Sequence, residues 1–147
     1  MEIILLGFLI RFALAIIDIH FFPLPGGEFD AFSFNRVATE FSDHLASGNS
    51  FGDFDYKYGW IYSIFVGYFY YIFGASNLLG SFLSCLTWLL SALVLRQIMI
   101  KLSYQKKIIY ITLLIYTFLF PTSIIYTSLM LREAYLLLFS NLLFLFI

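Results

Sequence analysis

Long apolar runs alternate with short polar stretches along the whole chain. An apolar run with few charges is typical of a helix that enters a membrane, and a full crossing needs about 20 residues. The pattern therefore predicts an all-α fold class, a polytopic transmembrane helical protein in which residues 1–147 form a single membrane domain. The predicted transmembrane segments cover about residues 3–22, 60–73, 78–98, 108–120 and 134–147.

The polar insert between the first two segments, residues 20–57, predicts a different kind of helix. Its middle part places apolar and polar residues on opposite faces at the 3.6-residue period. Such a helix is too polar to span a membrane, and we expect an amphipathic interfacial helix that lies flat. Its apolar face holds Phe34, Val37, Ala38, Phe41 and Leu45, and its polar face holds Asn35, Arg36, Thr39, Glu40 and Asp43.

Two later segments carry further information. In the third segment Gly80, Ser84, Thr87 and Ser91 recur at helical spacing, which favours close packing against another helix. The fifth segment, 134–147, offers only 14 apolar-helix residues, too few for a crossing. We therefore expect the sequence to be the N-terminal portion of a longer chain.

Composition narrows the class of protein. The chain is 62% apolar and only 12% charged, whereas soluble domains are about 45–50% apolar and about 25% charged. The predicted localisation is therefore integral membrane, and the first predicted partner is the lipid bilayer. A net charge of −1 without a basic tract argues against a nucleic-acid partner. The single cysteine, Cys85, excludes an intrachain disulfide.

The charged residues leave two orientations open. Basic residues cluster between the third and fourth segments, and the positive-inside rule assigns that loop to the cytoplasm. If the second segment crosses fully, the polar insert is cytoplasmic too, whereas a re-entrant second segment puts the insert outside. The insert carries the acids Glu28, Asp30, Glu40, Asp43, Asp53 and Asp55, and the basic cluster consists of Arg96, Lys101, Lys106 and Lys107.

The stretch LPGGEFDAF, residues 24–32, places two carboxylates directly before the predicted interfacial helix. Asp30 has two interpretations. It can cap the helix by accepting backbone N–H bonds, or it can act as a general base at the membrane surface. Glu28, taken alone, is typical of a solvated loop acid.

Other ionisable residues also have both structural and functional interpretations. Arg11 and Asp18 lie two turns apart in the first segment, where we expect snorkelling or a helix–helix contact. Arg132 and Glu133 begin the last segment and can anchor it in the headgroups or bind a phosphate. His44 has no second His or Cys at metal-ligand spacing, so no metal site is predicted.

Three stretches resemble a known family. LPGGEFDAFSFNRVATEFS after the first segment, YKYGWIYSIFVGYFYYIFGAS at the second and FPTSIIYTSLMLREAYLLL after the fourth are similar to the N-terminal part of GT-C superfamily glycosyltransferases. That family includes the dolichyl-phosphate-mannose protein mannosyltransferase type and its bacterial relatives. The sequence departs from it at Glu-Phe-Asp, where relatives often have adjacent Asp and Glu, and at YKYGW, which lacks the family's prolines.

The resemblance implies a glycosyltransferase of the bacterial cytoplasmic membrane, acting in cell-envelope polysaccharide biosynthesis. It would move a sugar from a polyprenyl-phosphate-linked donor to a lipid-linked glycan, lipid or protein acceptor at the outer face. The matching catalytic carboxylate is Asp30, with Glu28 beside it. The departing lipid phosphate needs cationic stabilisation. The substrate-binding candidates are Arg132, Lys57 and Arg36, with Glu133 to orient Arg132 or a metal ion.

Asp53 and Asp55 are typical of a solvated turn, but an acidic pair in such a loop can also bind a divalent cation, which is the candidate cofactor. We expect the 147 residues alone to be inactive, because later helices complete the family's site. Two alternative functions stay open. One is a membrane polysaccharide polymerase, whose functional residues would be dominated by arginine. The other is a non-enzymatic membrane subunit or transporter fragment, in which Asp30 and Arg132 tolerate neutral substitution.

Overall fold

The computed structural model describes residues 2–25, 27–54, 61–119 and 121–146. All regular elements in these ranges are helical, which agrees with the predicted all-α class. A π-helical turn, Gly27–Ala31, leads into the second helix, and a short 3-10 turn covers Phe51–Asp53. The helices are α1 (Glu2–His20), α2 (Phe32–Ala46), α3 (Ile61–Phe73), α4 (Asn77–Lys101), α5 (Lys106–Phe118), α6 (Pro121–Ser128) and α7 (Glu133–Phe146).

Two helices are long and apolar enough to cross a membrane, α1 with 19 residues and α4 with 25. Helices α5 and α6 together reach spanning length, but their axes differ by 67°. Pro121 is the first residue of α6, a position that suits proline because the missing N–H would have no partner there. Helices α3 and α7 are apolar but shorter, with 13 and 14 residues.

Helices α1 and α4 pack antiparallel. The Phe8 and Phe12 rings lie 6.2 and 5.6 Å from the Phe82 ring, and Ile4 packs with Ala92. The polar insert and the start of α4 therefore lie at one end of this pair, the acidic end. The N-terminus of α1 and the turn between α4 and α5 lie at the other, the basic end.

This arrangement bears on the two orientations that the charges left open. Because α1 and α4 pack antiparallel, the segment that follows α1 lies at the end where α4 begins, and the turn before α5 lies at the end where α4 finishes. The acidic insert and the basic cluster consequently lie at opposite ends of the α1–α4 pair. This is the arrangement expected when the second segment does not cross.

Helix α2 is amphipathic as predicted and packs its apolar face against α3. Ala38 and Phe41 are fully buried, whereas Arg36, Glu40 and Asp43 are exposed. Gly67 of α3 makes the close approach possible, since an added Cβ there would lie 2.8 Å from the Ala38 carbonyl oxygen.

One polar position of α2 departs from the predicted pattern. Asn35 is half-buried and accepts a 2.7 Å hydrogen bond at Oδ1 from the Tyr70 hydroxyl. A buried polar group is retained where it finds a partner. The 3.6-residue period predicted a solvent-facing Asn35, because the spacing of residues within α2 does not show that Tyr70 of α3 lies against it.

The small residues of α4 are buried and in close contact with neighbouring helices, as predicted. Gly80, Ser84, Thr87 and Ser91 are all buried. The Ser91 hydroxyl lies 2.8 Å from the Tyr116 hydroxyl and accepts a 2.9 Å bond from Asn141 of α7. These contacts hold α5 and α7 against α4.

Candidate functional site

A cavity of about 190 Å³ lies at the acidic end, where α1 ends and α4 begins. Its walls come from the last turn of α1, the following loop, the first turn of α2, the first turns of α4 and the link between α6 and α7. It therefore joins elements that are far apart in the chain. Its polar lining consists of Asp18, Asn35, Asn77 and Ser81, and the other lining residues are Ile19, Pro23, Ala31, Phe32 and Met130.

Asp18 holds the loop that forms one wall of this cavity. Its Oδ1 accepts a 2.7 Å hydrogen bond from the Leu24 backbone N–H, so the chain folds back after α1. Leu24 is thereby buried in a cluster with Leu129 and Leu131. One carboxylate oxygen of Asp18 thus fixes the loop, and the residue also faces the cavity.

Asp30 is exposed at the rim of the same region, in the π-helical turn before α2. The next residue, Ala31, both lines the cavity and packs against the cluster of Leu24, Leu129 and Leu131. Within the described part of the chain the Asp30 carboxylate makes no hydrogen bond or ion pair, and it faces solvent.

The prediction that Asp30 caps α2 is wrong. The N-cap is Ala31, with helical φ and ψ of −61° and −41°, and no side chain accepts a capping bond there. The reason is that residues 27–31 are already wound as a helical turn. This turn runs directly into α2, so the backbone N–H groups that lack helical partners begin at the start of the turn. Asp30 lies after that start and is not in the position of a capping residue.

Arg132 is exposed at the start of α7, close to the same cluster. Its carbonyl accepts the N–H groups of Tyr135 and Leu136, each at 3.1 Å, which starts the helix. The preceding residue, Leu131, is a buried member of the cluster against which Ala31 packs. The fold therefore brings the backbone next to Asp30 and the backbone next to Arg132 into one cluster, although the two residues are far apart in the chain.

Glu133 lines a second cavity, of about 430 Å³, between α6 and α7. Its Oε2 is buried and has no hydrogen-bond partner among the described residues. The polar groups around it are hydroxyls, including those of Thr122, Ser123 and Ser140. Glu133 does not line the first cavity, so the structure does not bring it together with Asp18.

Arg36, another predicted substrate-binding residue, does not line the first cavity. Arg36 is exposed and pairs with Glu40 of its own helix at 3.6 Å, although its neighbour Asn35 does line the cavity. An exposed pair of this kind contributes little to stability. The side chain of Glu28 and the whole of Lys57 lie outside the described residues.

The structure corrects the interpretation of Arg11 as a snorkelling residue. Arg11 is fully buried, with its guanidinium carbon 3.6 Å from the centroid of the Trp88 ring. It donates hydrogen bonds to Thr127 Oγ1 at 2.8 Å, Gly7 O at 3.1 Å and Thr117 O at 3.3 Å. Its predicted structural role as a helix–helix contact is retained, and its partners are α4, α5 and α6 rather than Asp18.

A metal-ligand set is not present among the described residues, where no three His, Cys, Asp or Glu side chains converge. His44 Nε2 lies 3.0 Å from the Ser50 carbonyl oxygen, as expected for a donated hydrogen bond. The hydroxyl and backbone N–H of Ser50 bond the Asp53 carboxylate and lower its pKa. Asp55, the other member of the acidic pair, lies outside the described residues.

Asp18 and Asn77 are the residues that sequence reasoning did not select for this site. Asp18 sits near the end of an apolar helix, and that position alone signals a cavity or a protein contact. Asn77 opens α4 and carries no recognisable motif. Nothing in the sequence pattern indicates that these two residues share a cavity.

Comparison with known proteins gives no match, whether to family models, curated proteins or solved structures.

Proposed function

We propose that the chain carries part of the active site of a membrane glycosyltransferase that uses a polyprenyl-phosphate-linked sugar. The observation that supports it is the juxtaposition at the acidic end. The exposed residues Asp30 and Arg132 each neighbour in the chain a residue of one apolar cluster, Ala31 and Leu131, and Ala31 also lines the cavity with the polar lining. The resemblance to GT-C glycosyltransferases in the same stretches of sequence favours the same chemistry.

In the proposed reaction the acceptor hydroxyl attacks the anomeric carbon of the donor sugar. Asp30 takes the proton of that hydroxyl, and the bond from the anomeric carbon to the lipid phosphate breaks. Arg132 stabilises the negative charge that the departing lipid phosphate acquires. Carboxylate and amide groups suit sugar hydroxyls, so Asp18, Asn35 and Asn77 would bind the sugar in the cavity.

The proposed orientation follows from the charges at the two ends of the α1–α4 pair. The positive-inside rule puts the basic end in the cytoplasm, and the acidic end then faces the opposite side, where the lipid-linked donor would be used. A bacterial cytoplasmic membrane is the proposed location.

Orientation is tested first, by cysteine accessibility in intact cells. Cys85 is fully buried, so Cys85→Ser provides the background. Reporter cysteines replace Pro25 at the acidic end and Gln105 at the basic end, which are both exposed. A membrane-impermeant maleimide is expected to label Pro25→Cys from outside and to reach Gln105→Cys only after permeabilisation. The reverse pattern would contradict the proposal.

Activity is tested on the full-length gene product with Asp30→Asn. Loss of the general base is expected to lower sugar transfer by about 10²- to 10⁴-fold. The matched control is Asp43→Asn, an exposed carboxylate of the same insert on α2, which is expected to leave transfer unchanged. If Arg132→Gln abolishes the activity and Asp30→Asn does not, the polymerase is favoured. If neither Asp30→Asn nor Arg132→Gln lowers sugar transfer by the cell, the non-enzymatic membrane subunit is favoured.

A further inference from the structure

A third cavity, of about 480 Å³, lies at the basic end between α4 and α5. Its polar lining consists of Arg96, Lys106, Tyr104 and Tyr110. Its apolar lining consists of Ile100, Ile109 and Leu113. Its volume is within the range of about 300–1,000 Å³ that is usual for small-ligand sites.

The turn between α4 and α5 gives this cavity a defined shape. Ser103 adopts a left-handed conformation with φ of 57°. The Tyr104 N–H then reaches back to the Met99 carbonyl at 3.1 Å, and the Ser103 N–H bonds the Ile100 carbonyl at 3.0 Å. This backbone closure, a Schellman-type turn, ends α4 and places Tyr104 at the cavity mouth.

The cations that line the cavity are not neutralised by neighbouring acids. Among the residues that the structure describes, Arg96 and Lys106 form no ion pair. The nearby Lys101 is engaged elsewhere, because its Nζ donates a 3.3 Å bond to the Leu145 carbonyl at the end of α7. Lys106 is also the first residue of α5, whose N-cap Gln105 gives no side-chain cap. The positive end of the α5 dipole therefore adds to the two side-chain charges.

We infer that this cavity binds the phosphate of an anionic membrane phospholipid. The two cations and the α5 N-terminus bind the phosphate oxygens, and the two tyrosine hydroxyls lie at the depth of the headgroup. Acyl chains cover the exposed side chain of Ile100 and the half-buried side chain of Ile109, which lies one turn inside α5. Basic cavities between helices at the end that the positive-inside rule puts in the cytoplasm bind such headgroups. This site is independent of the proposed sugar transfer.

A free phosphate would satisfy the cations but not the apolar lining. Ile100, an aliphatic residue of the cavity lining, is 44% accessible. A lipid buries such surface, and an inorganic ion does not. The cavity therefore suits the phosphate of a lipid better than free inorganic phosphate.

The test is native mass spectrometry on the full chain in detergent. The probe is an equimolar mixture of phosphatidylglycerol and phosphatidylcholine with identical acyl chains. Retention of phosphatidylglycerol is expected to fall about fivefold for each cation removed, or about 25-fold in the double variant Arg96→Gln and Lys106→Gln. The control double variant, Lys101→Gln and Lys107→Gln, removes two charges from the same loop but none from the cavity. It is expected to keep retention within about twofold of the parent.

Three outcomes would overturn the inference. Equal losses in the two double variants would mean diffuse attraction to a basic surface. Displacement of the lipid by excess inorganic phosphate would mean a site for free anions. Equal retention of the two lipids by the parent protein would mean no headgroup selection. As a second variant, Ile109→Ser keeps both cations and is expected to weaken lipid retention, and its melting temperature is measured alongside to verify folding.

Discussion

The guanidinium of Arg11 lies 3.6 Å from the centroid of the Trp88 ring, inside a bundle of apolar helices. A desolvated cation is costly at such depth. Here it is stabilised by the negative face of the indole and by three oxygen acceptors on three helices. One of the three acceptors, the Thr117 carbonyl, lies in the last turn of α5, where the carbonyls lack helical partners. Arg11 thus connects the end of α5 to α1, α4 and α6 without a carboxylate.

A double-mutant cycle measures this stacking. Arg11→Met and Trp88→Leu are combined, and the coupling free energy is obtained from unfolding in mild detergent. We expect coupling of about 2 kcal/mol, because the pair is fully buried. The exposed Arg36–Glu40 pair is the control, with expected coupling of about 0.3–0.5 kcal/mol. Similar values for the two pairs would show that the buried stacking is not an energetic link.

Gly67→Ala is expected to separate α2 from α3. The new Cβ would lie 2.8 Å from the Ala38 carbonyl oxygen and from Phe41 Cδ1. A backbone oxygen cannot rotate away, so the helices must move apart. Overpacking of this kind costs about 1–3 kcal/mol. The melting temperature of the variant in detergent checks this expectation.

The matched control for that substitution is Gly52→Ala. Among the described residues, a Cβ on Gly52 would meet only Ser50 Oγ, at 3.8 Å, and the backbone there needs no left-handed φ. Its melting temperature should therefore stay at that of the parent. Equal destabilisation by the two variants would contradict the close α2–α3 approach.

Ser50 is expected to control the titration of Asp53. The Ser50 hydroxyl and backbone N–H both bond Asp53 Oδ2, at 2.8 and 3.3 Å, and lower the pKa of that carboxyl. Ser50→Ala should raise the pKa toward its ordinary value, because only the backbone bond remains. The stabilisation of this turn exists above the unfolded-state pKa and is lost as the pH falls through the folded-state pKa. NMR titration of Asp53 in the two proteins measures the change, and equal pKa values would contradict it.

The apolar runs predicted α1 and α4 correctly because a spanning helix needs only length and hydropathy. The 3.6-residue period predicted α2 and its buried Ala38 and Phe41, since burial of one helix face is a local property of sequence. The spacing of the small residues of α4 likewise predicted their burial against neighbouring helices. These features depend on residues that are close together in the chain.

The features that the sequence did not predict depend on long-range contacts. The partners of Arg11, Thr117 and Thr127, lie 106 and 116 residues away in the chain. The cavity that unites Asp18 with Asn77 depends on the antiparallel packing of α1 and α4. The cap assigned to Asp30 failed for a local reason, a helical turn in a stretch whose glycines favoured a break. The sequence predicted Asp30 and Arg132 as candidates. Only the fold shows that their chain neighbours Ala31 and Leu131 belong to or pack against one apolar cluster.

Asp18→Asn separates the two roles of Asp18 at the cavity. The amide keeps an oxygen that can accept the Leu24 N–H bond, so the melting temperature should stay close to that of the parent. Transfer activity of the full-length protein is expected to fall about fivefold, because a neutral acceptor binds a sugar hydroxyl about 1 kcal/mol more weakly than a carboxylate. Asp18→Ala should lower both activity and melting temperature, since it leaves the Leu24 N–H unpaired at a cost of about 1–3 kcal/mol. If Asp18→Asn retains full activity, Asp18 only fixes the loop, and sugar binding in the cavity depends on Asn35 and Asn77 alone.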